Sequence, residues 1–103
     1  ILASAVVGNN ISVTPGYANL DRDGMDYGIN YGLVGYEVNA SGSWTVTKPS
    51  WILMSRTSGS AGTTLVSISG LMNKLSSPRS GTIVFTCGTA TATVYVEQDG
   101  AMI

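Results

Sequence analysis

At 103 residues and 10.7 kDa the chain has room for one domain with a real core, and 44% hydrophobic residues set it apart from disordered sequences. Only 11% of residues are charged, the net charge is −1 and the pI is about 4.9, which excludes nucleic acid and anionic lipid as partners because both call for clustered Lys and Arg. Histidine is absent, and with it go the Ser-His-Asp and Cys-His nucleophilic centres and the H-E-x-x-H zinc site.

The opening ILASAVVG, residues 1–8, has neither the basic start of a signal peptide nor the caps of a helix. It is expected to be an extension or linker, or a strand able to pair with a neighbour, ahead of a single domain over residues 9–103. With Ile at position 1, the chain is expected to be a trimmed segment of a larger protein. No apolar run reaches the ~18 residues that a membrane-spanning helix needs, so membrane insertion is not expected.

ISVTP, from Ile11, has the place of a first strand. It leads into NLDRDGMDYGINYG, residues 19–32, which holds three of the chain's six carboxylates, Asp21, Asp23 and Asp26, and two Tyr-Gly pairs. Asn19-x-Asp21-x-Asp23-Gly24 matches the first half of an EF-hand loop, where oxygen ligands alternate ahead of a bending glycine. The acid expected at the loop's last ligand position falls on Asn30, so the choice lies between a weak Ca2+ site at Asn19, Asp21 and Asp23 and an Asp-Gly turn. No other cofactor is expected. Beyond the turn, Tyr27 and Tyr31 would point the same way along a strand with Ile29 between them, as packing or as a flat platform for a sugar ring.

Strand alternation strengthens from there on. SWTVT sets Trp44 and Val46 against Thr45 and Thr47, and TTLVSIS sets Val66 and Ile68 against Leu65, Ser67 and Ser69. GTIVFTC puts Ile83, Phe85 and Cys87 on one face, and TATVYVEQ puts Ala92, Val94 and Val96 opposite Thr93, Tyr95 and Glu97. Turn chemistry at 39–43, 58–62, 76–81 and 87–89 separates these runs, with a hairpin expected across Gly88. Helical spacing is missing throughout. The pattern predicts an all-β, immunoglobulin-like Greek-key sandwich of about seven or eight strands. The lone Cys87 cannot supply an inter-sheet disulfide and reads as a small buried thiol.

The predicted core is Trp44, Trp51, Val46, Ile68, Ile83, Phe85, Val94 and Val96, with both tryptophans serving folding before any ligand. Tyr95, on the outward parity of its strand, joins Tyr27 and Tyr31 as a candidate carbohydrate contact. Catalysis is not expected. A glycosidase pair needs two acids held across a cleft, one of them in an apolar pocket, whereas three acids on one turn stay solvated. No S-x-x-K stands ready for Ser-Lys chemistry. Asn10-Ile-Ser and Asn39-Ala-Ser match the N-glycosylation acceptor pattern.

From residue 38 the chain resembles the BACON family (Bacteroidetes-associated carbohydrate-binding, often N-terminal). The resemblance rests on Asn39 followed by Trp44, the Pro-Ser-Trp-Ile corner from Pro49 to Ile52, and the Ser58, Gly59, Gly62 turn. It continues through Asn73, Arg79-x-Gly81-Thr82-Ile83 and the closing Val96-x-Gln98-x-Gly100. The resemblance implies an Ig-like sandwich that serves as a module of a secreted or surface protein beside neighbouring domains. A polysaccharide or host glycan, from mucin or plants, is the implied partner. Modules of this kind also occur in phage proteins, so a virion fibre is the alternative location, and a spacer or fibre building block without ligand is the alternative role.

Overall fold

Alternating apolar and polar residues become strands along nearly the whole of residues 9–101, the part that the computed structural model describes. Residues 1–8, where an extension or pairing strand is expected, lie outside the described residues. The strands are β1 (Ile11–Thr14), β2 (Tyr17–Leu20), β3 (Tyr36–Ala40), β4 (Trp44–Thr47), β5 (Ile52–Met54), β6 (Ser58–Gly59), β7 (Gly62–Val66), β8 (Ile68–Gly70), β9 (Arg79–Cys87) and β10 (Ala90–Gln98). A 3-10 helix, Tyr27–Tyr31, is the one helical element among the described residues.

The strands form a three-stranded sheet, β1-β3-β7, a five-stranded sheet, β2-β10-β9-β4-β6, and the pair β5-β8. Together they make an all-β, immunoglobulin-like sandwich, with ten strands among the described residues rather than seven or eight. The surplus comes from short pieces. Ser58–Gly59, expected as turn, pairs with Trp44 and Thr45 as β6, and the first strand breaks in two at the cis Thr14–Pro15 bond. Before that bond β1 pairs antiparallel with β3, and after it β2 pairs parallel with β10. One run of sequence therefore edges both sheets. The expected β9–β10 hairpin forms across Gly88, which adopts a positive φ of 60°.

The core lies where the inward parities meet. Tyr36, Val38 and Val66 come from the three-stranded sheet, Ile83, Phe85, Val94 and Val96 from the β9–β10 hairpin, and Ile52 and Ile68 from the small pair. Trp44, 1% exposed, tilts against Phe85 with ring centroids 5.7 Å apart. Burying a side chain of this size contributes about 2–3 kcal/mol. Its register partner is Gly59, where a Cβ would collide with the indole, and the indole N–H finds no acceptor. Two expected core residues are only partly buried. Val46 packs at the margin of the cluster, and Trp51 packs against the core beside Gly70 and Gly81 with the Arg79 guanidinium over its ring, 4.4 Å from the centroid.

A polar knot closes one end of the sandwich. Gln98 is fully buried. Its Nε2 donates to the carbonyls of Asp21, Arg22 and Leu71, while its Oε1 accepts from Arg79 Nε at 2.7 Å. Buried Asn73 donates to the carbonyls of Ser77 and Asp99 and accepts from the Leu75 N–H. These bonds fasten the acidic loop after β2 onto residues 70–73.

Candidate functional site

All five tyrosines line two hollows around strand β2, and four of them, Tyr17, Tyr27, Tyr31 and Tyr95, are exposed. The alternation in YANL buries Ala18 and Leu20 and turns Tyr17 and Asn19 to solvent. Because β2 runs parallel to β10, Tyr17 falls beside Tyr95, and Asn19 falls beside Glu97. Antiparallel β9 extends both rows, setting Thr82 beside Tyr95 and Ser80 beside Glu97. The rings of Tyr17 and Tyr95 are thus exposed on neighbouring strands about 4.8 Å apart, with hydroxyl, amide and carboxylate groups in the next row. A shallow depression of about 340 Å³ lies over this patch.

The second half of the site is the segment between β2 and β3. Tyr27 and Tyr31 do not lie on a strand, as their spacing predicts. Asp26 caps the segment at its start, its Oδ1 accepting the Gly28 N–H at 2.8 Å, and Gly32 ends it in the left-handed region with φ 89°. With three residues per turn instead of two, the rings diverge. Tyr31 is 88% exposed, whereas Tyr27 donates its hydroxyl to Asp99 Oδ2. That hydrogen bond, with the burial and charge around it, raises the Tyr27 phenol above its ordinary pKa. Between the helical segment and the free edge of β2 lies an open cleft of about 440 Å³, with Tyr17, Asn19, Tyr27 and Tyr31 in its walls. Tyr17, Ala18 and Asn19 also border the depression over β10, so the two hollows meet along β2.

The floor of the cleft is a buried polar pair. Asp26 is 3% exposed and accepts the Tyr36 hydroxyl at 2.7 Å through its second oxygen. Burial first, and then this hydrogen bond, pushes the Tyr36 phenol far up from its ordinary value. Asp26 is therefore a fixture of the cleft, with one oxygen holding the helical segment and the other holding β3.

Of the three residues expected to crown the site, Tyr95 sits on the open sheet face and Tyr27 and Tyr31 on the cleft, so the fold brings them to one side of the molecule. Sequence reasoning missed Tyr17, which joins the two halves. Its signal was the alternation of Tyr17 and Asn19 with Ala18 and Leu20. The acidic loop is organised differently from an EF-hand. Asp21 Oδ1 accepts the N–H groups of Asp23 and Met25, both at 2.9 Å, as in an Asx turn. Asp23 faces Arg22 at 3.6 Å, and Asn19 stands on β2 beside Glu97. Among the described residues no cluster of three or more Cys, Asp or Glu is placed to hold a metal ion. Cys87 is buried and unpaired, as its place in β9 predicts. No helix among the described residues is long and apolar enough to cross a membrane.

Comparison with known proteins agrees with this architecture. The solved structure "Bacteroides ovatus GH5 xyloglucanase in complex with a XXXG heptasaccharide" is similar over 91% of this chain, with a TM-score of 0.74 and 18% identity. The likeness covers 20% of that enzyme's chain, so this chain spans about a fifth of its length, and at such identity it is a likeness of fold. No curated protein matches the chain in sequence. The model of the BACON family, described as "Putative binding domain, N-terminal", matches residues 40–99, from the end of β3 to the residue after β10. That match takes in more than half of the sequence, and the chain belongs to the BACON domain family.

Proposed function

We propose that this chain is a non-catalytic accessory module of a secreted or cell-surface protein, and that it binds carbohydrate on the tyrosine-bearing face around β2. The observation that carries the reading is the register of β2 on β10. It sets Tyr17 and Tyr95, 64% and 65% exposed, side by side on an open sheet face that continues into the cleft of Tyr27 and Tyr31. Exposed aromatics are costly to leave in water, and several on one face mark an interaction surface. Sugar rings present flat C–H faces that stack on phenol rings, while their hydroxyls take hydrogen bonds from a polar rim. Asn19, Ser80, Thr82 and Glu97 form such a rim.

Membership of a family described as a binding domain, and the similarity to part of a xyloglucanase, support the same reading. The test is retention of the purified chain on immobilised plant polysaccharides and mucin glycans. Retention that free oligosaccharide competes away is the expected result. A chain that passes every glycan surface unretarded is a spacer or fibre building block, and the binding reading then falls.

A further inference from the structure

The charged groups in the walls of the two hollows on the tyrosine face, Asp26 and Glu97, are of one sign. We infer that the glycans this face accepts are neutral ones, and that it turns away the sialylated, sulfated and uronate-bearing chains of mucins and pectins. The inference rests on the carbohydrate-binding reading above and narrows its ligand class.

Neither hollow has a Lys or Arg in its walls, whereas Asp26 lines the cleft and Glu97 lies in the row next to Tyr17 and Tyr95. Asp99, which accepts the Tyr27 hydroxyl, lines a separate hollow beyond Tyr27 together with Asp21 and Arg22. None of the five cations lines either hollow, and Lys74 sits in the loop after β8, next to Asn73. Arg22 lies beyond Tyr27 in the company of Asp21 and Asp99, and it pairs with Asp23. Arg79 is turned onto Gln98 and the Trp51 ring. Lys48 and Arg56 flank β4 and β6, at the margin of the five-stranded sheet opposite β2. Recognition of a carboxylate or sulfate calls for Arg or Lys in fork or point-charge contact, and a like charge suppresses such a ligand. The donors this face does offer, the Asn19 amide and the Ser80 and Thr82 hydroxyls, match uncharged sugar hydroxyls.

A glycan array carrying neutral glucans, xyloglucans, xylans and mannans beside polygalacturonate, sialylated and sulfated oligosaccharides tests this directly with the intact 103-residue chain. Retention on neutral glycans, at least about tenfold stronger than on acidic ones and little changed by salt, is the expected result. Retention on acidic glycans alone overturns the inference and leaves carbohydrate binding standing. Retention on nothing overturns the carbohydrate-binding reading itself. A second arm uses Glu97→Lys, at a position exposed on the sheet face. The variant should gain retention on polygalacturonate, and neutral binding that persists without any such gain overturns the electrostatic argument.

Discussion

The hydroxyl of Tyr36 donates to Asp26 Oδ2 at 2.7 Å inside the molecule, where both side chains are almost wholly out of reach of water. Removing the donor by Tyr36→Phe leaves a buried carboxylate oxygen without its partner and should cost about 1–3 kcal/mol, read as a lower urea midpoint. The phenol, raised by burial and by Asp26, also ties stability to alkaline pH. Below pH about 10 both the folded and unfolded chains hold this proton, and the contribution is whole. Above that pH the unfolded chain releases its proton while the folded one keeps it, so stability falls by up to about 1.4 kcal/mol per pH unit. Tyr36→Phe should flatten this alkaline slope. Tyr27, also raised, acts in the same direction at the surface and stays unchanged in the comparison.

Gln98 predicts a different failure. Its amide serves three backbone carbonyls from two separate loops and anchors the Arg79 side chain. Gln98→Leu keeps the volume and strands these groups, at an expected cost of about 2–3 kcal/mol. Gln98→Glu should be worse, because it points a carboxylate at carbonyl oxygens. Hydrogen exchange of residues 21–26 and 70–73 should quicken in both variants before the β9–β10 hairpin is affected. Equal protection in these loops would contradict the tethering role.

How much of this could be read in the sequence depends on whether the deciding contact is local. In β9 and β10 apolar residues alternate on strands long enough to override their neighbours, and Ile83, Phe85, Val94 and Val96 are buried as the alternation demands. For Tyr27 and Tyr31 parity gave the wrong answer. A capping carboxylate at Asp26 and a left-handed Gly32 select the 3-10 geometry, and neither outcome follows from apolar spacing. Trp51 packs against the core as expected, but the Arg79 that covers its ring comes from β9, so that stacking is a tertiary fact. The site itself was half legible. Tyr95 showed its exposure through strand parity, but the placing of Tyr17 beside it requires a parallel pairing between the two ends of the domain.

Two left-handed glycines separate conformational strain from collision. Gly24 (φ 96°) packs so closely on the Gly70 carbonyl that a Cβ would overlap it, whereas Gly32 (φ 89°) has open space around it. Gly32→Ala should cost only the backbone strain, about 1 kcal/mol. Gly24→Ala adds a clash that only movement of the backbone can relieve, and should exceed about 3 kcal/mol. Thermal midpoints of the two variants test the order. Equal losses would mean that the contact between the acidic loop and residues 70–73 is looser than the packing of Gly24 against Gly70 indicates.

The tyrosine face can be tested apart from stability because its rings are exposed. Tyr17→Ala and Tyr95→Ala remove solvent-facing side chains, and each should leave the thermal midpoint nearly unchanged. If both rings stack on one glycan, each change should weaken retention about 5- to 10-fold, as expected for the loss of one aromatic contact. Tyr31→Ala should weaken it only for ligands long enough to reach from the sheet face into the cleft, so short and long oligosaccharides should separate in that variant. Tyr27→Ala with Tyr31→Ala should abolish retention of the long ligands with the fold intact. Leu65→Ala, an equally exposed apolar change on β7 of the other sheet, should alter nothing. A loss of retention as large in Leu65→Ala as in Tyr17→Ala would trace the binding to general surface adhesion rather than to the β2–β10 register.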